Sequence, residues 1–189
     1  EGGWDRRSDL LLPLVKGYSS EKAFEILTLS LQTLGGSGYL QDYPVEQYLR
    51  DAKIDTVYEG TTGIQGMDLF FRKIARDQGQ TLASLAGEIA GFVKAGQDDD
   101  PVAAERQTLG TMLEDTQAHL GVMVEHLMAS MSGEPERIYS TGLHTTALLE
   151  SMAEVVIGWQ LLRHAEIAAA QADASPFHAG KVASARFFI

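Results

Sequence analysis

The stretch Leu31–Gln65, LQTLGGSGYLQDYPVEQYLRDAKIDTVYEGTTGIQ, stands apart from the rest of the chain, which reads as helix. Glycines, aromatics and a carboxylate follow one another here in a tight, non-periodic order. Gly35, Gly36 and Gly38 end a helix and leave backbone N–H groups without side-chain cover, as close approach to a ligand requires. Tyr43-Pro44 then starts a short helix, with Pro44 suited to its first helical position. Tyr58-Glu59-Gly60-Thr61-Thr62 closes the stretch and sets a carboxylate just before a new helix.

Upstream, residues 1–9 are polar and contain glycine, which predicts a loop or frayed end. The apolar run Leu10–Val15 holds Pro13, so a helix there must kink or begin near it. Ser19 or Ser20 can cap a helix to about Leu34, whose stripe of Ala23, Leu27, Leu31 and Leu34 reads as core. Between Asp51 and Tyr58 a strand is conceivable, but a helix end and a loop fit better. Downstream, Thr62 and Gln65 have the spacing of a capping box. Ile64, Met67 or Asp68, Phe71 and Ile74 continue that helix. Gly63 and Gly66 in its first turns cost roughly 1 kcal/mol each relative to alanine, which points to something packing closely there.

The remainder reads as a separate bundle beyond Gln78-Gly79. Leu82, Leu85, Ile89 and Val93 form one stripe, ended by Gly96. Asp98-Asp99-Asp100-Pro101 is an acidic connector in which Asp100 caps and Pro101 begins the next helix. That helix carries Leu109, Leu113, Leu120, Val124, Leu127 and Met131 on its apolar face. After the break at Ser132–Pro135, another helical stretch runs to about Ala172, with an interruption conceivable at Ser140-Thr141-Gly142. Ser175-Pro176 opens a last helix.

In its order and spacing the opening stretch resembles the acyl-CoA dehydrogenase family. The family's C-terminal helical domain carries Q-x-x-G-G-x-G-[YF], Y-P-V-E, R-D-A-K-I and Y-E-G-T-x-x-I-Q. Here these fall at Gln32–Tyr39, Tyr43–Glu46, Arg50–Ile54 and Tyr58–Gln65. Any one could be only a helix cap or a solvated face; the four in register decide. The likeness is close over residues 10–76, and the rest resembles the helical extension of longer bacterial members. The fold it implies is all-α: residues 1–76 complete the dehydrogenase four-helix bundle, and residues 77–189 add a further helical domain.

Glu59 taken alone is an ordinary acidic residue favouring a helix N-terminus. The resemblance implies more: the base that removes the α-proton of an acyl-CoA thioester while the β-hydrogen passes as hydride to FAD, giving a trans-2-enoyl-CoA. Such chemistry needs a carboxylate against the α-carbon and a polarised thioester carbonyl. In the family that polarisation comes from the glutamate's backbone N–H and a flavin hydroxyl. Gly60 keeps the substrate's approach open. Gln32, Gly35 and Gly36 match positions meeting the adenosine end of FAD, typically that of a neighbouring subunit, and Thr61 and Thr62 match further FAD contacts. Gly63 departs from the polar residue many members carry. Arg50 and Asp51 read as a structural ion pair or as separate packing contacts.

Composition bounds the alternatives. The chain has 189 residues, no cysteine and a net charge of −11. Disulfide and thiolate chemistry are excluded, a reducing cytoplasm is the default, and nonspecific binding to DNA or anionic lipid is opposed. No apolar run is long enough to span a bilayer. The chain begins at Glu1, which reads as a fragment or processed product. The resemblance implies that most of the flavin site and the acyl pocket belong to the family's N-terminal helices and middle β-domain, so this chain is not expected to be a competent enzyme by itself. No metal site is expected: Asp115, His119 and His126 share a helix without further ligands. The implied partners are an acyl-CoA, an electron-transfer flavoprotein and further copies of the chain, with fatty acid β-oxidation as the setting. The competing classes are an oxidase, a DNA-binding flavoprotein homologue of the family, and a non-catalytic helical interaction domain.

Overall fold

A computed structural model describes residues 2–96, 100–171 and 175–189, all-helical with no strand among them. They divide into two compact units, Glu1–Gly79 with Gly142–Glu150, and Gln80–Thr141 with Ser151–Ile189.

The first unit is organised by α1, Gly2–Thr33. The expected N-terminal loop is instead helix, with Asp5 in its first turn where a carboxylate suits the dipole. Tertiary contacts secure this end: Asp9 pairs with Lys73 at 2.5 Å, and Leu10 and Leu14 are buried. Pro13 lies inside α1 and not at its start. Ser20 is likewise internal and buried, donating to the Gly17 carbonyl at 3.2 Å instead of capping. The stripe expected as core is half-exposed. Leu27 and Leu31 are partly covered, whereas Ala23 and Leu34 face outward with Ile26 and Leu29.

A 3₁₀ turn at Gly35–Tyr39 follows, then α2 (Val45–Lys53), a second 3₁₀ turn at Ile54–Thr56, and α3 (Thr62–Met67). The pre-Thr62 segment is thus helix end and loop, as the sequence suggests. From Asp68 to Ala75 α3 continues as a π-helix. Its wider turn changes the phase of the buried face. Leu69, Phe70 and Ile74 are buried, while Ile64 and Met67 of the expected stripe are exposed.

Gly66 explains its own presence. A Cβ there would stand 2.9 Å from the backbone carbonyl carbon and oxygen of Thr145. Gly63 has no comparable neighbour, only the Thr61 hydroxyl at 4.0 Å. Because backbone cannot swing aside as a side-chain tip can, Gly66→Ala should destabilise the fold by about 1–3 kcal/mol. Urea unfolding of the variant measures this, and an unchanged midpoint would contradict the packing.

The second unit comprises α4 (Gln80–Lys94), α5 (Ala103–Met131), most of α6 (Arg137–Ala169) and α7 (Pro176–Phe188). Leu85, Ile89, Leu109, Met123, Val155 and Leu162 form its core. The α5 stripe is buried only at Leu109 and Leu113 among the expected positions, and Val124 and Met131 are exposed. Asp98, Asp99 and Ala172 lie outside the described residues. Asp100 accepts from the Val102 N–H at 2.9 Å, so the turn forms as expected but α5 begins at Ala103, two residues later than read. No interruption occurs at Ser140–Gly142; Thr141 is fully buried and donates to the Met123 carbonyl at 3.3 Å. Ser175 caps α7 by accepting from the Phe177 N–H at 3.2 Å, with Pro176 beginning the helix.

A charged pair, Arg106 with Asp100, sits in this second core. Arg106 is 3% exposed, pairs with Asp100 and with Glu166 (2.9 Å), and donates to the Phe92 carbonyl at 2.7 Å. Its guanidinium also lies 3.9 Å from the centre of the Phe92 ring. A buried arginine is tolerable when its charge and donors are met this fully.

Candidate active site

The loop between the second 3₁₀ turn and α3 holds the candidate carboxylate. Its entry is fixed by the Tyr58 N–H donating to the Ile54 carbonyl at 2.8 Å. Glu59 then adopts φ 55° and Gly60 φ 94°, before Thr61 returns to an extended conformation (φ −65°, ψ 165°) and α3 begins. The left-handed region costs an ordinary L-residue about 1–2 kcal/mol. Glycine is required at position 60 twice over: a Cβ would be strained by φ and would stand 3.1 Å from Ile64 Cγ2.

Two side chains hold these turns. Gln65 Nε2 donates to the Glu59 carbonyl at 3.0 Å, and Lys16 Nζ, from α1, donates to the Gly60 carbonyl at 2.5 Å. The expected Thr62–Gln65 capping box does not form. Thr61 is the N-cap residue and makes no side-chain cap. Gln65 is committed to Glu59, and the buried Thr62 hydroxyl donates to Glu21 Oε1 of α1 at 2.6 Å. The Glu59 side chain itself is exposed.

Glu59, Gly60 and Thr61 therefore share one loop, and Thr62 follows as the first residue of α3. Gln32, Gly35 and Gly36 do not join them. From Lys16 to Gln32 the α1 axis advances about 24 Å, which separates the glycine turn from the Glu59 loop. Gln32, Gly35 and Gly36 are exposed, and no atom lies within 4 Å of a Cβ built on either glycine, so the turn is open to an approaching group. Thr61 is exposed as well, whereas the Thr62 hydroxyl is turned toward Glu21.

The neighbouring groups are structural. Arg50 pairs with Glu46 at 2.9 Å, and its guanidinium is raised above its ordinary pKa first by that hydrogen bond and then by the Glu46 charge. Asp51 accepts from Gln47 at 3.4 Å instead, so the two are separate contacts. A cavity of about 80 Å³ lies between Gly17, Glu21, Thr62 and Leu149. Small-molecule sites usually measure several hundred Å³ or more, so this one is too small for an acyl-CoA. Among the described residues, no three His, Cys, Asp or Glu side chains gather as a metal ion would need, and no helix is long and apolar enough to cross a membrane.

Sequence reasoning passed over Lys16 and Glu21. Their one signal is that each follows an apolar or small residue on α1, where a charge toward the core needs a partner.

The sequence family described as "Acyl-CoA dehydrogenase, C-terminal domain" matches residues 5–72, and that described as "Acetyl-CoA dehydrogenase C-terminal like" matches residues 85–189. Among curated proteins, the chain is 48% identical over 187 residues to the broad-specificity linear acyl-CoA dehydrogenase FadE5 of Mycobacterium tuberculosis. It is 34% identical over 187 residues to the 3-methylmercaptopropionyl-CoA dehydrogenase of Ruegeria pomeroyi. Both alignments cover 96% of this chain and 30% of the relative. A butyryl-CoA dehydrogenase of Syntrophomonas wolfei is 27% identical over 194 residues, covering 98% of this chain and 30% of that protein. The chain thus spans about 30% of the length of these relatives.

Proposed function

The chain belongs to the acyl-CoA dehydrogenase family, and from that premise we propose that it is the C-terminal part of an enzyme that removes hydrogen from the α and β carbons of an acyl-CoA thioester, with Glu59 as the base. The observation carrying this reading is the backbone of Glu59. An exposed glutamate held at φ 55° before a glycine at φ 94° is a costly arrangement, and such outliers cluster at functional sites.

In the reaction, Glu59 accepts the α-proton, leaving the electron pair on the α-carbon. The Glu59 backbone N–H donates to the thioester oxygen, where negative charge develops. Gly60 leaves the approach to the carboxylate unobstructed by a side chain. The double bond forms as the β-hydrogen departs with its electrons, and the product is a trans-2-enoyl-CoA with Glu59 protonated. When bound, FAD supplies the acceptor for that hydride.

Gln32, Gly35, Gly36 and Thr61 fit contacts to FAD because they are exposed, and the glycines lack neighbours that would block an approach. Thr62 contributes through its backbone, since its hydroxyl is engaged by Glu21. The ~24 Å between the glycine turn and the Glu59 loop along α1 supports two FAD molecules meeting one chain, one at each place, hence a homo-oligomer. The electrons then pass to an electron-transfer flavoprotein. The absence of cysteine suits a cytoplasmic enzyme.

In the full-length protein, anaerobic mixing with saturated acyl-CoA thioesters of graded length should bleach the flavin absorbance with at least one of them. Failure with every length would remove the dehydrogenase assignment.

A further inference from the structure

We propose that Lys16 and Gln65 are positioning residues for Glu59, each fixing one of the two peptide planes that follow it. The proposal rests on the reading of Glu59 as the α-proton base. Gln65 Nε2 holds the Glu59 carbonyl at 3.0 Å and Lys16 Nζ holds the Gly60 carbonyl at 2.5 Å. The two donors come from different helices, α3 and α1, so the loop is tied across the first unit and not merely to its own helix.

The consequence follows from peptide geometry. No cis bond is present, and in a trans peptide the N–H points opposite to the preceding carbonyl. Holding the Glu59 carbonyl toward Gln65 therefore turns the Gly60 N–H away from Gln65. Holding the Gly60 carbonyl toward Lys16 likewise turns the Thr61 N–H away from Lys16. Gly60 is the natural point of slack, because without a Cβ it rotates freely in φ. Released from both donors, Glu59 would relax from φ 55° toward the broadly allowed negative region, carrying its carboxylate with it. Misplacing a catalytic group by about 1 Å costs on the order of a hundredfold in rate. Neither Lys16 nor Gln65 is assigned a step of its own.

The test uses the full-length enzyme with FAD bound, followed by anaerobic stopped-flow reduction with an acyl-CoA that bleaches the wild type. Lys16→Met should slow flavin reduction at saturating substrate about ten- to a hundredfold, with the half-saturating concentration changed less than about threefold. Lys16→Arg, which keeps a cationic donor, should recover most of the loss. Gln65→Met, which keeps the length without the donor, should slow reduction in the same way. It also decides the matter should Lys16→Met lose flavin or melt early. Reduction within twofold of wild type by both methionine variants, or a loss confined to the half-saturating concentration, would overturn the proposal. The base assignment would survive that result provided Glu59→Gln remains blocked. Normal bleaching by Glu59→Gln would instead remove the base assignment and the positioning role together.

Discussion

Glu59→Gln in the full-length protein should leave FAD bound and slow its anaerobic bleaching by acyl-CoA about ten-thousandfold. Glutamine keeps the size of the side chain and its ability to hydrogen-bond, so the loop, whose ties run through the backbone carbonyls and not the carboxylate, should stay in place. What is lost is the capacity to take a proton. Removing a general base typically costs 10²–10⁴ in rate, and the upper end corresponds to about 5 kcal/mol of barrier. The upper end is expected because a carbon acid offers its proton to no other group named in this loop. Bleaching within tenfold of wild type would move the base to another residue.

Arg106→Met should be the most destabilising single change in the second unit. It leaves the Asp100 carboxylate, whose side chain is 5% exposed, without the guanidinium beside it. Glu166, 53% exposed, can turn to water and suffers little. Breaking a buried pair by removing one partner costs about 3–5 kcal/mol. For a chain of this size each kcal/mol shifts Tm by about 2–4 °C, so the melting temperature should fall by about 10 °C. Adding Asp100→Asn to Arg106→Met should recover part of the loss, because the amide still accepts from Val102 without a charge. A loss below about 1 kcal/mol would show that water reaches the pair in solution.

The elements legible in the sequence are those whose signals are local. Ser175-Pro176 announces α7 because a cap and a fixed φ act within one turn, and Leu85 and Ile89 mark α4 because its period is regular. Where tertiary contacts override local preference the reading fails. Residues 2–9 are helical with Asp9 against Lys73, a pairing 64 residues apart. Ser140–Gly142 stays helical with Thr141 bonded to Met123 on α5. The α3 stripe misleads because a π-helix changes the period on which the reading depends. The position of Glu59 is visible in the motif, but its left-handed backbone is not. Nor is the tie from Lys16 to the Gly60 carbonyl, 44 residues apart, which no spacing rule connects.

The placement of Gly142–Glu150 within the first unit bears on how such chains can be recombined. Residues before Gly79 and residues after Gln80 do not partition the packing, because a stretch from the middle of α6 presents Thr145 to Gly66 and Leu149 to Gly17. A chimaera that exchanged everything after Gln80 with a relative would import those nine residues as well. It would then mate a foreign Thr145 equivalent with a native Gly66. The junction to respect is therefore not a point in the sequence but a surface, and a successful exchange would graft residues 142–150 back from the parent that supplies α1 and α3.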